Sequence, residues 1–260
     1  MPRAQPLLAS VRLGASLAAR GALFWVSAAL ALVIALFFAV QAIAFSRAGM
    51  ADALVRLPAA SSSALVWGAG ILVAFSASVR ALRRDREEGV FALVAARGVG
   101  HRYFAGRLGG LAVVLALVCG GGTVLVGIAC VLASQRLHVA AHALVASLGA
   151  LFYAVLASVT LAVVSFAALG ARSRPGGYVR LLFVLAVPDL VARLLDGHVA
   201  DEWRELFSIP EALAAARGAL DPGGLEPARL ARALVVVALV LGVGVLFARR
   251  ELSLSSQEAR

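Results

Sequence analysis

Long apolar blocks alternate along this chain with short segments that carry arginine. A bilayer whose hydrocarbon core is about 30 Å thick needs about 20 apolar residues in each helical span. Six blocks approach or exceed that length: Leu23–Phe45, Ser61–Val79, Leu108–Leu132, Ala143–Leu169, Tyr178–Leu195 and Ala233–Ala248. The pattern predicts an all-α polytopic membrane protein with six transmembrane helices. The fifth block is the most polar, because it holds Arg180, Pro188-Asp189 and Arg193. Asp189 and Arg193 stand four apart and are expected to pair on one helix face. Between the first two blocks, Ser46–Ser61 reads as a short connection broken at Pro58.

Three segments are too polar to cross. Residues 1–20 carry Arg3, Arg12 and Arg20 with no acid, and Leu7, Leu8 and Val11 recur at helical spacing. They predict an amphipathic interfacial helix at the N-terminus. The rival reading is the leading part of a signal peptide. The apolar run Gly21 to Ser46 is long for that, so the segment is expected to remain, although Ala42-Ile43-Ala44 mimics a cleavage site. Residues 80–107 are the most polar stretch of the first half, with glycine breaks at Gly89, Gly98 and Gly100. Residues 196–228 are acidic and interrupted by Pro210, Pro222 and Pro227, with DEWRELFS and PEALAAARGAL reading as short amphipathic helices. The whole of 1–260 reads as one transmembrane domain.

Composition agrees with a lipid solvent. The chain is 62% hydrophobic and 15% charged, with mean hydropathy +0.95, too little polar surface for a soluble domain of this size. Its net charge of +10 comes from arginine alone, since there is no lysine. That excludes a Walker A loop, whose lysine reaches the nucleotide phosphates, and any Schiff-base chemistry. The arginines flank apolar spans, so they predict membrane orientation and contact with lipid headgroups rather than nucleic acid. With six spans and the N-terminus inside, sixteen of the 24 basic residues fall in cytoplasmic segments and eight outside. This satisfies the positive-inside rule and puts both termini in the cytoplasm.

Candidate chemistry is sparse. Cys119 and Cys130 lie eleven apart in one span, about 16 Å along a helix axis, too far to bridge. They read as packing residues. Ser61-Ser62-Ser63 has no nearby histidine partner. His138 and His142 share a helix face and offer a weak metal or haem-iron pair, weighed against two polar residues at a membrane edge. No catalytic residue, metal site or cofactor is assigned to this chain, and it is not expected to be an enzyme. Gly106 and Gly110 form a G-x-x-x-G pair, which suits close helix packing in lipid.

The informative segment is RRDREEGVFALVAARGVGHRYFAGR, residues 83–107. Charges cluster at Arg83–Glu88, Gly89 breaks the run, and Val90, Phe91, Leu93 and Val94 form an apolar patch. Such a segment suits either docking into a groove on a partner or lying at the interface with its arginines in the headgroups. Here it resembles the coupling loop of type-2 ABC exporter permeases. That family carries R-x-x-G-[TV]-[LF]-x-x-L between its second and third spans. The match is Arg86-Glu87-Glu88-Gly89-Val90-Phe91-Ala92-Leu93-Val94, followed by the turn Arg97-Gly98-Val99-Gly100 and the basic run Arg102 to Arg107. Where the family often has proline in the turn, this chain reads Ala95-Ala96-Arg97-Gly98. The plan is also similar to that of nitrous-oxide-reductase maturation permeases and haem-exporter B subunits.

The resemblance implies a permease subunit in the bacterial inner membrane, working as a dimer with a second copy or a sister permease. It implies a separate ABC ATPase subunit that binds the ATP and Mg. Residues 80–107 would be the cytoplasmic coupling loop, with Arg86, Glu87, Glu88, Gly89, Phe91, Leu93 and Arg97 as the contact to that ATPase. Residues 196–228 would be extracytoplasmic, open to a partner on that side. Two other readings stand beside it: a non-transporting assembly scaffold, and an ATP-independent transporter. The middles of the first four blocks hold no Asp, Glu or Arg, which weighs against an ion-coupled carrier.

Overall fold

The computed structural model describes residues 5–76, 89–90, 100–169, 174–195, 198, 201–221 and 223–258. Among these the chain is helical with no strand. The helices are α1 (Gln5–Ala18), α2 (Ala22–Arg47), α3 (Ala51–Ser76), α4 (Gly100–Ala133), α5 (Leu137–Leu169), α6 (Arg174–Leu194), α7 (Asp201–Phe207), α8 (Ile209–Gly218) and α9 (Pro227–Glu258). Five of them, α2, α3, α4, α5 and α9, are long and apolar enough to cross a membrane. The chain is a multi-pass membrane protein.

The block expected as span five is α6, a continuous helix of 21 residues. At about 1.5 Å per residue it is long enough for a bilayer. Its charged residues keep it out of the set of apolar helices. A second difference concerns Pro58, which breaks nothing: it is buried inside α3, and the helix starts at Ala51 rather than Ser61. Proline removes the backbone donor that would serve the Leu54 carbonyl one turn earlier, and α3 nonetheless continues through it. Ser61 Oγ donates to the Pro58 carbonyl and Ser62 Oγ to the Ala59 carbonyl.

The bundle is organised around α5 and α3. Two-thirds of the apolar window of α5 is buried (67%), whereas α2 and α9 bury only 17% of theirs. Tyr153, Leu161, Leu115, Cys119, Val66 and Val73 form the central core. The outer helices turn large apolar side chains outward, among them Trp25, Val33 and Phe37 on α2 and Val243 and Phe247 on α9. A soluble surface would not carry so continuous an apolar face; in a bilayer it faces acyl chains. Ser134, Gln135 and Arg136 form the short turn that sets α4 and α5 side by side.

The N-terminal helix is packed into the bundle. α1 packs along the first half of α4, and small residues make the seam. A Cβ on Gly14 would stand 2.1 Å from the Gly106 carbonyl oxygen, and one on Gly110 would stand 2.3 Å from the Ala15 nitrogen. Ser10 fits against Gly106, and Val11 against Gly109. The G-x-x-x-G face of Gly106 and Gly110 is therefore occupied from within the chain, by α1.

Candidate functional site

The segment between α6 and α9 folds as a helical hairpin, α7 and α8, built into one end of the bundle. Its sequence begins α8 firmly. Ser208 caps the helix by accepting a hydrogen bond from the Glu211 N–H at 3.3 Å, in the S-x-x-E spacing of a capping box, and Pro210 sits in the first turn. Ile209, Ala212, Leu213, Ala215 and Ala216 are all buried. That face packs on α5, α6 and α9, which sinks α8 among the spans.

Three polar ties hold the hairpin. At the C-terminal end of α8, Arg217 Nη1 donates to the Ala59 carbonyl at 2.8 Å and to Ser63 Oγ at 2.7 Å, both on α3. The same guanidinium lies 4.9 Å from the ring centroid of Tyr153 on α5, within cation–π range. Tyr153 is buried, and its hydroxyl accepts from Trp67 Nε1 at 2.9 Å. One arginine thus joins α8 to α3 and α5. At the other end of α8, Ser208 Oγ donates to Asp189 Oδ1 at 3.2 Å, and Asp189 Oδ2 accepts from Arg193 Nε at 2.9 Å. The third tie links α7 to α9: Arg229 places Nε and Nη2 2.8 Å from Oε1 of the buried Glu205. Glu226 adds a longer contact to Arg229 at 3.7 Å.

Trp67 belongs to a π-helical stretch, Leu65–Gly70, within α3. Such widened turns shift the hydrogen-bond register and are frequent at functional sites. Here Cys119 Sγ of α4 approaches the Leu65 carbonyl at 3.7 Å. Gly70 lets α4 come close, since a Cβ there would meet Cys119 Sγ at 2.9 Å. Below Trp67 an apolar cavity of about 610 Å³ opens between α3, α6 and the start of α8. Ile71, Phe75 and Leu185 line its body, and Asp189, Arg193 and Pro210 its polar end.

The residues anticipated from sequence fall in two groups. Arg86, Glu87, Glu88, Phe91, Leu93 and Arg97 lie outside the described residues. Gly89 is described and stands at φ +68°, with Val90 helical after it. Glycine is the residue that takes this left-handed conformation without strain. Asp189 and Arg193 pair on α6 as their spacing predicts. His142 turns Nδ1 to the backbone carbonyl of His138 at 2.7 Å. Among the described residues no group of three His, Cys, Asp or Glu side chains comes together to hold a metal ion.

The sequence reading missed the Arg217–Ser63–Tyr153–Trp67 cluster. Arg217 counted there only as one more extracytoplasmic arginine. The signal that was available is Ser208-x-x-Glu211, which fixes where α8 starts and so places Arg217 in its last turn. Arg217→Met keeps the aliphatic length but removes both charged hydrogen bonds and the cation–π contact. It is expected to cost about 2–4 kcal/mol, read as a lower melting midpoint in detergent, with partial recovery in Arg217→Lys. An unchanged midpoint in Arg217→Met would show that this residue does not hold the hairpin. No family model matches the chain, and no curated protein matches it.

Proposed function

We propose that this chain is the membrane-spanning permease subunit of an ATP-binding-cassette exporter, working as one of two permeases with a pair of separate ATPase subunits. The observation that carries the reading is the segment Arg86–Val94 between two long helices, with Arg86, Gly89, Val90 and Phe91 at the motif positions and Val94 where the motif has leucine. Those helices, α3 and α4, are among the more buried of the bundle. α4 is also clasped by α1. A push delivered to the loop would reach α3, α4 and α1 together, and the coupling of two sites needs such a shared element. α6 completes six spans, with both termini in the cytoplasm and the α7–α8 hairpin on the far side. The hairpin then closes the outer end of the bundle, and its polar ties are the bonds that opening must exchange.

The lysine-free chain cannot bind nucleotide through a P-loop, so on this reading ATP is bound by a partner. Gentle detergent extraction of the tagged chain, with and without ATP, followed by mass spectrometry and an ATPase assay, is the test. Recovery of a stoichiometric P-loop subunit with ATPase activity is the expected result. Recovery of the intact chain without any ATPase, under conditions that keep known membrane complexes together, would overturn the reading in favour of a scaffold or an ATP-independent carrier.

A further inference from the structure

Two apolar cavities flank α6. One, of about 860 Å³, lies towards α5 and α9; the other is the 610 Å³ cavity beside Trp67, and Val179 lines both. The smaller one ends in a charged group with a defined orientation. Arg193 Nε is pinned by Asp189 Oδ2, while Asp189 Oδ1 is held by Ser208 Oγ, which also caps α8. Arg193 is mostly exposed, at 73%, and its two Nη groups have no hydrogen-bond partner among the described residues. A guanidinium fixed through Nε offers its remaining donors as a fork that matches a phosphate.

We infer that this cavity binds a phospholipid, with an acyl chain against Ile71, Phe75 and Leu185 and the phosphate on the Nη groups of Arg193. The chemistry fits at both ends. The body of the cavity presents hydrocarbon, and lipid chains gain from filling it by close packing. The mouth presents a pre-oriented donor fork beside an acid whose two oxygens are already satisfied, so the phosphate meets the cation without displacing its partner. The mouth lies where α6 meets the hairpin, the outer end on the orientation proposed above. That the bound lipid is cargo, and so that the substrate class is a phosphate-bearing amphiphile, rests on the exporter reading; the binding site does not.

Trp67 lines the cavity and reports on it. The other two tryptophans, Trp25 and Trp203, are replaced by phenylalanine in the full-length chain. This protein is reconstituted in phosphatidylcholine vesicles with increasing fractions of acyl-brominated phosphatidylglycerol, without ATP or any partner. Saturable quenching of Trp67 is expected. Half-saturation should need about tenfold more brominated lipid in Arg193→Gln, a loss of about 1.4 kcal/mol, and about tenfold more for brominated diacylglycerol, which has no phosphate. Inorganic phosphate should not compete, because it lacks the chain. Ala186→Phe, which narrows the cavity from its wall, should weaken the quenching while Arg193 remains. Equal quenching by diacylglycerol and phosphatidylglycerol, or no change in either variant, would overturn the proposal. Competition by inorganic phosphate would do the same for the lipid as ligand. Failure here leaves the ATPase co-purification untouched, and failure of that experiment leaves this one untouched.

Discussion

Gly110→Leu is expected to separate α1 from α4 and to leave little monodisperse protein after detergent extraction. The new Cβ would fall 2.3 Å from the Ala15 nitrogen and 2.4 Å from the Gly14 carbonyl carbon. Both are backbone atoms, so no rotamer relieves the clash and one helix has to move. Overpacking a tight site costs about 1–3 kcal/mol when side chains can yield; here the whole seam from Ser10 to Ala15 opens, so the loss should exceed that range. Helices in lipid associate through close packing rather than through expulsion of water, and a seam held by surface fit has little else to fall back on. Gly121→Leu is the control, because no atom lies within 4 Å of its would-be Cβ. Yield and melting midpoint of the two variants check the prediction. Equal behaviour would show that α1 is not held by this face.

Glu88→Arg is expected to abolish coupling while leaving the chain in the membrane. Asp85, Glu87 and Glu88 are the acids of a run that also carries Arg83, Arg84, Arg86 and Arg97. Reversing Glu88 leaves two acids, Asp85 and Glu87, against five arginines in place of three against four. Like charges brought together across an interface cost several kcal/mol, and each 1.4 kcal/mol is about a tenfold loss of affinity. The co-purifying ATPase activity should therefore fall by at least about tenfold, and ATP-driven transport to background. Resistance of the variant to carbonate extraction should match the original protein, since residue 88 lies outside every apolar block. Normal ATPase recovery with this variant would remove the loop from the transmission role.

Much of the architecture is legible one segment at a time. The membrane as solvent, the positions of α2, α4, α5 and α9, and the pairing of Asp189 with Arg193 follow from apolar length and four-residue spacing, which are local properties. Pro58 and α8 were less legible for a common reason. Local rules assign proline to a break and a polar stretch to the surface. In the fold, Pro58 is buried inside a continuous α3, and burial of one face draws α8 into the bundle.

The sequence by itself determined that this protein is helical and lives in a bilayer, because every backbone group in hydrocarbon must bond within its own segment. It also determined that no lysine chemistry operates here. The tertiary structure alone decided what each small or polar residue meets. It gave the Gly106–Gly110 face to α1, and it turned Arg217 inward to Ser63 and Tyr153. It also set Arg193 at the mouth of an apolar cavity. Those pairings join residues far apart in the chain, by 64 positions for Arg217 and Tyr153 and by 154 for Arg217 and Ser63, and no spacing rule along the chain records which helix will lie beside which.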